Sequence, residues 1–219
     1  MRYSIIGFGN VGQALARLFA RKNIEVAVAS RRPPESLRPL AREIGPTIKA
    51  QSLADALEAD VVFLAVPFLQ HRDVAKARAS WKGKLVVDVT NAFGVPVEEL
   101  DGLPSSAVVA KALPGARVVK GFNHLVAKIL GADPAVNGGR RVVFLASDDD
   151  DAIPPIAALA EQLGLAPVRL GRLAEGGALV GARGRSWGPL IFEDLFKLDT
   201  ASENSGRHDE GKSHGKARG

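Results

Sequence analysis

The sequence predicts an α/β protein with a doubly wound, mainly parallel sheet and a small C-terminal extension of helix and strand. Three observations carry that expectation. Short apolar, β-branched runs recur with helical stretches between them, the alternation that a parallel sheet with crossover helices requires. The string GFGNVG, Gly7 to Gly12, stands directly between the first such run and the first helical stretch. The composition, 46% hydrophobic and 24% charged over 219 residues, is that of a globular chain able to bury such a sheet on both faces.

Taken in order, the first strand is expected over Arg2 to Ile6. Asn10 to about Lys22 follows, with Val11, Leu15, Leu18 and Phe19 at helical spacing, so that an apolar stripe covers one sheet face. A strand over Glu25 to Ala29 then closes a βαβ unit of the length a right-handed crossover needs. Further strands are expected at Val61 to Val66, Leu85 to Val89, Val118 to Lys120, Val142 to Ala146 and Pro167 to Leu170, and helices at Ser105 to Leu113, His124 to Leu130 and Ile153 to Leu163.

The last of these helices is preceded by Ser147 and four aspartates, Asp148 to Asp151. Hard cations take several carboxylates, but consecutive aspartates point in different directions. Ser and Asp followed by Pro154 and Pro155 mark a helix start, where negative charge meets the positive end of the dipole. No metal is assigned. Leu173 to Arg185, with Gly176, Gly177, Gly181 and Gly184, reads as a broken helix or a mobile loop. Trp187 to Leu198 reads as an amphipathic stretch, either a closing core helix or a dimer surface. Beyond Thr200 there is nothing apolar larger than alanine, so 201–219 is expected to be a disordered tail. The chain thus divides into a dinucleotide domain over 1–146, a small subdomain over 147–200 and the tail.

Composition also excludes. With no cysteine there is no disulfide, thiol nucleophile or thiolate metal site. No run approaches the roughly 20 apolar residues a bilayer span needs and no signal segment opens the chain, so a cytoplasmic protein away from membranes is expected. The net charge of +5 comes from basic residues spread in pairs, without interleaved aromatics. An anionic small molecule is therefore a better partner than a nucleic acid.

The chemistry is carried by strand ends. In a Rossmann-type turn Gly7 permits the sharp bend, Gly9 lets backbone approach a pyrophosphate, and Gly12 lets the helix pack close to the strand. The helix N-terminus, with Phe8, Asn10 and Val11 about it, offers N–H groups to the phosphates. An NAD site wants a carboxylate at the end of the second strand, but this chain reads Ser30, Arg31, Arg32. A hydroxyl and two guanidinium forks suit the 2′-phosphate of NADP(H), which a carboxylate would repel. Val66, Pro67 and Phe68, with Asn91, follow later strand ends and are expected to wall the nicotinamide. Asp88 reads as a structural carboxylate or a ligand, His71 as a residue on the exposed face of its helix, and His124 as either a group facing the ring or a structural histidine.

Taken together these strings resemble the NADP oxidoreductases that depend on a deazaflavin, coenzyme F420. The resemblance runs over 1–199 and rests on GFGNVG, SRR, VPF, VVDVTNAF, KGFNH, LASDDDD, LGLAPVRLGRLAEGG and WGPLIFEDLF. It implies reversible hydride transfer between NADP(H) and a deazaflavin or flavin acceptor, rings stacked between the dinucleotide domain and the small subdomain. Carried over residue by residue, Phe8, Gly9, Asn10 and Val11 match the pyrophosphate turn, Ser30 and Arg31 the phosphate clamp, and Val66 and Pro67 the nicotinamide wall. The chain departs from the pattern at Pro33, Pro34 and Glu35, where deazaflavin-using members can carry a lysine. Transfer between stacked rings needs proximity and no protein nucleophile, so no catalytic side chain is assigned. A small-molecule redox acceptor and a second copy of the chain, as a homodimer, are the expected partners. Two other readings stay open: an NADPH-dependent reductase of a small carbonyl or imine, and a non-catalytic NADP(H) sensor.

Overall fold

In the computed structural model, which describes residues 1–182 and 190–198, six short strands form the body of the sheet. They are β1 (Tyr3–Ile6), β2 (Val26–Ala29), β3 (Ile48–Ala50), β4 (Val61–Leu64), β5 (Leu85–Asp88) and β6 (Arg117–Gly121). They pair in parallel in the order β3-β2-β1-β4-β5-β6, so the chain leaves the centre at β1, winds one way to β3 and returns to wind the other way. β2, β4 and β5 are buried along their whole length, as parallel strands covered on both faces must be.

The helices that cover them are α1 (Asn10–Arg21), α2 (Pro34–Ile44), α3 (Leu53–Ala56), α4 (His71–Lys76), α5 (Ser105–Ala112), α6 (Ala127–Leu130), α7 (Ile153–Gln162) and α8 (Gly176–Leu179). Alternate residues of each strand feed two cores. Ile5, Phe63, Val87 and Val119 meet Leu15, Leu18 and Phe19 of α1 and Ile156 and Leu159 of α7. Ile6, Leu64, Val86 and Val118 meet Trp81, Val109 and Leu113 on the other face. Within the first core Tyr3, Phe19, Phe63 and Phe122 form a file of rings with centroids 5.5–5.7 Å apart. Truncating Phe63 to alanine there would cost about 3–5 kcal/mol.

The parallel order ends after β6. The hairpin β7 (Ala135–Val136) to β8 (Gly139–Ser147) turns on Asn137 and Gly138, both at positive φ, which gives the tight reversal of a two-residue turn. β8 therefore runs antiparallel to β6, with Val119 opposite Ser147, and α7 returns the chain so that β9 (Ala166–Arg169) pairs with β8 in parallel. The boundary expected after 146 falls at the end of β8, and α7 beyond it packs into the first core.

Several expectations are corrected. The stretch expected to be one amphipathic segment to Leu198 is, over 190–198, a turn followed by β10 (Phe196–Leu198), antiparallel to β8; Trp187 lies outside the described residues, as does the 201–219 tail. Arg141 fixes that turn by a bidentate pair to Asp194, its Nε 2.6 Å from Oδ1 and a terminal nitrogen 3.2 Å from Oδ2. Among the described residues the glycine-rich stretch carries the four-residue α8, and a Cβ on its Gly176 would lie 1.9 Å from the Leu170 carbonyl oxygen. That glycine serves close packing. His71, expected on an exposed face, is fully buried.

Candidate functional site

The turn between β1 and α1 is built as its glycines require. Gly7 has φ +102 and donates its N–H to the Ala29 carbonyl at 2.8 Å; a Cβ there would sit 2.2 Å from the Ala65 carbonyl oxygen. A Cβ on Gly12 would sit 2.0 Å from the Gly7 carbonyl oxygen, so glycine is what allows the helix to start so close. Gly9 is the opposite case. Its φ is ordinary and a Cβ there would meet nothing within 4 Å, because Gly9 and Asn10 face solvent. With no side-chain cap and no acidic residue in the first turn of α1, the helix start can serve an anion. Phe8 is buried in the core and contributes main chain, while Gln13 Nε2 donates to its carbonyl at 3.2 Å. Val11 is half-buried.

A cavity of about 370 Å3 joins this turn to the end of β2. Gly7, Phe8, Gly9, Ser30, Arg31, Arg32, Val66 and Pro67 line it. The Ser30 hydroxyl accepts from the Arg32 N–H at 3.0 Å, which folds the loop back over the strand end. Both arginine side chains are on exposed residues, and among the described residues neither has a carboxylate within ion-pair distance. An open backbone cradle beside two unpaired guanidinium groups fits a dinucleotide that carries a further phosphate. Sequence reading missed Leu53, Gln70 and Asp73, which also line the cavity. Only their offset from the strand ends could have flagged them, since they lie on the short helices that follow β3 and β4.

Two expected wall residues are placed elsewhere. Phe68 is 4% exposed and turns its ring into the second core against His71, at 4.9 Å between centroids. Asn91 does not line the cavity; its amide ties three segments together. Its Nδ2 donates to the Asn123 carbonyl at 2.8 Å, and its Oδ1 accepts from Asn123 Nδ2 at 3.0 Å and from the Ala182 N–H at 3.3 Å. Asn123 Nδ2 also donates to the Val180 carbonyl at 2.6 Å. The network pins the strand-end loops after β5 and β6 to the C-terminal segment.

Beneath it lies a buried ion pair that the apolar strings VVD and RVVKG conceal. Lys120 and Asp88 are both fully buried, Nζ 3.1 Å from Oδ2, and Nζ also donates to the Thr90 carbonyl. The other oxygen of Asp88 accepts from the Thr90 N–H at 2.9 Å and its hydroxyl at 2.7 Å. Asp88 is thus a structural carboxylate. Burial pulls the Lys120 ammonium below the ordinary lysine range, with Asp88 pushing the other way. His124 is also fully buried, tilted against Phe144, and neither ring nitrogen has a hydrogen-bond partner. Burial lowers its pKa to about 4, with the Asp194 charge opposing, so the ring is neutral. His71 Nδ1 lies 2.5 Å from the Phe68 carbonyl, and burial likewise lowers its pKa.

Three of the four aspartates before α7 are spent on folding. Asp148 accepts from the Leu173 N–H, Asp149 caps at Asp151 and pairs with Arg117 at 2.6 Å, and Asp150 pairs with Arg169.

Residues 2–92 match the family model of the NADP oxidoreductases, coenzyme F420-dependent. Among solved structures, the hypothetical protein SMa0349 from Sinorhizobium meliloti is 40% identical, with a TM-score of 0.83 over 90% of this chain and 96% of that one. A protein from Arthrobacter sp. FB24, described as an F420-dependent NADP-reductase, shares the fold at 24% identity and a TM-score of 0.67, over 79% of this chain and 86% of that one. Metalloreductase STEAP3 of Rattus norvegicus is 28% identical over 79% of this chain. The chain spans about a third of the length of that metalloreductase. Among the described residues no helix is long and apolar enough to cross a membrane.

Proposed function

We propose that this chain, whose residues 2–92 match the family model of the coenzyme F420-dependent NADP oxidoreductases, moves hydride between NADP(H) and a flat deazaflavin or flavin acceptor. The observation that carries the reading is one cavity that unites the open Gly9 cradle with Ser30, Arg31 and Arg32. When bound, the reduced dinucleotide supplies a hydride from nicotinamide C4, and one solvent proton completes the two-electron reduction of the acceptor. The chain's part is to hold and align. The start of α1 takes the pyrophosphate, Arg31 and Arg32 take the 2′-phosphate, and Val66 and Pro67 set the ring at the end of β4. Lys120, His71 and His124 are fully buried, so none of the three is offered to a substrate as a proton donor, which supports ring-to-ring transfer over carbonyl or imine reduction.

The test has two arms. Arg31→Ala weakens NADPH binding on the order of 10- to 100-fold in a fluorescence titration, the worth of one or two charged hydrogen bonds, and leaves NADH nearly untouched. An equal loss for both cofactors removes the phosphate assignment. In the second arm the protein with NADPH reduces a deazaflavin or FMN without added metal. Tight NADPH binding with no reduction of either acceptor leaves a nucleotide sensor as the better reading.

A further inference from the structure

The cavity at the strand ends has a second wall, opposite the arginines, to which no part of the ligand has yet been given. Leu53 opens α3, Gln70 ends the tight helical turn Phe68–Gln70 after β4, and Asp73 and Val74 lie on α4, which continues that turn. Spaced three and four residues apart, Gln70, Asp73 and Val74 share one helical face, and that face lines the cavity. Val74 is buried in the second core and the half-buried Leu53 packs against it, so both are fixed apolar surfaces. Gln70 is half-buried and Asp73 exposed. Among the described residues neither of these two side chains has a hydrogen-bond or ion-pair partner, although Arg72 next to Asp73 is paired with Glu99 at 2.7 Å. Asp73 is not the counter-ion of Arg31 or Arg32 either, since no carboxylate lies within ion-pair distance of them. A free carboxylate in a cavity that takes phosphates repels its own ligand unless it faces a donor there.

The connectivity of the ligand says which donor. In NADP(H) the 2′-phosphate and the base hang on adjacent carbons of one ribose, so a phosphate fixed at Arg31 and Arg32 holds the base close by. The pyrophosphate leaves the same ribose through C5′, towards the start of α1. The base is thereby directed to the wall of Leu53, Gln70, Asp73 and Val74. β1 separates β2 from β4, so the two walls stand about two strand spacings, roughly 10 Å, apart. Adenine presents on its edge an amino group that donates, next to ring nitrogens that accept. A carboxylate that only accepts and an amide that does both are the complement of that edge.

We propose that Gln70 and Asp73 read the base of the dinucleotide, Asp73 accepting from the adenine amino group and Gln70 donating to the ring nitrogen beside it, with Leu53 and Val74 against the faces of the ring. This rests on the NADP(H) reading above. It adds the residues that choose adenine over a base with a carbonyl in the same place. Hypoxanthine replaces the donor by an acceptor oxygen, which Asp73 repels, and a site built to hydrogen-bond one group rejects the analogue that lacks it. The arginines then select the phosphate, and α4 selects the base.

The experiment titrates the full chain with NADPH and with its hypoxanthine analogue, following nicotinamide fluorescence. The parent binds the analogue on the order of 10- to 100-fold more weakly, the worth of one charged hydrogen bond. Asp73→Asn, which keeps the shape and can turn an N–H towards the carbonyl, brings the two Kd values within about threefold of each other. Gln70→Ala also narrows the gap and serves as the test where the first variant does not fold. Arg31→Ala weakens both ligands by the same factor and leaves their ratio at the parent value. Both ligands carry the same phosphates, so a charge at residue 73 that acts only on phosphate moves them together. An unchanged ratio in folded Asp73→Asn and Gln70→Ala therefore overturns the assignment. A parent that binds NADPH and the analogue equally well overturns it too, and leaves the hydride-transfer reading standing. A parent that binds neither removes the dinucleotide itself, and both readings fail.

Discussion

The ends of β1, β2 and β4 and the ends of β5 and β6 lie along one edge of one sheet but are built on opposite terms. At the first, polar groups are left uncommitted: Gly9 opens to solvent, and Arg31 and Arg32 have no carboxylate partner among the described residues. At the second, Asp88, Thr90 and Lys120 are tied to one another, and Asn91 is tied to Asn123. A doubly charged phosphate needs free donors, which the first end leaves open and the second does not. The internal polar network makes the second end stiff.

The largest expected effect breaks that stiffness. Lys120→Met leaves Asp88 buried and unpaired, which costs about 3–5 kcal/mol, and lowers the thermal midpoint on the order of 10 °C in a chain of this size. NADPH affinity measured well below the new midpoint is unchanged, because the pair lies outside the phosphate cavity. A matching collapse of NADPH affinity at low temperature would show the two regions to be one.

Acid probes the same side. Unfolded, His124 takes up a proton near its ordinary pKa of 6.5; folded, it does so only near 4. Below pH 6.5 the unfolded state therefore binds more protons, and stability falls as pH drops towards 4 and levels off below it. The loss is on the order of 3 kcal/mol, and His71 acts in the same direction. Urea unfolding at pH 7 and pH 4.5 should show His124→Leu losing distinctly less than the parent; equal losses would mean that the ring is solvated.

The smallest effects separate aspartates that look alike in sequence. Asp149→Ala gives up a cap to the Asp151 N–H and the 2.6 Å pair with Arg117, lowering the midpoint by a few degrees at most. Asp150→Ala gives up only the exposed pair with Arg169, whose side chains are 73% and 51% exposed, and shifts it by about a degree or less. A large shift at Asp150, or a midpoint that rises with added calcium, would give that run a metal role after all.

The dinucleotide half was legible because its signals are local. The spacing of Gly7, Gly9 and Gly12 lies in one turn, and the missing acid at Ser30 is read from three adjacent residues. The ends of β5 and β6 are built by long-range contacts, and their signals are weaker. Asn137–Gly138 is a recognisable hairpin turn, but only the pairing of Val119 with Ser147 reveals that it reverses a strand into a parallel sheet. Lys120 and Asp88 are 32 residues apart and meet because β5 and β6 are neighbours. Phe68 and Asn91 follow strand ends, as expected of wall residues, yet one turns inward and the other spends its amide on Asn123. Position along the chain fixes where a Cα lies, and rotamer and neighbours decide what the side chain does there. The helical periodicity expected up to Leu198 gave way to a strand because the Arg141–Asp194 clamp and the edge of β8 offered that segment a ladder.

That late pairing also sets an order in time. During synthesis β1 to β6 are complete once residue 121 has emerged, so the sheet centre and the phosphate turn have their partners early. β10 pairs with residues more than fifty positions earlier, Phe196 with Arg141, and cannot dock until residue 198 has emerged as well. A nascent chain will therefore complete its phosphate turn well before β8 acquires the strand that covers its edge.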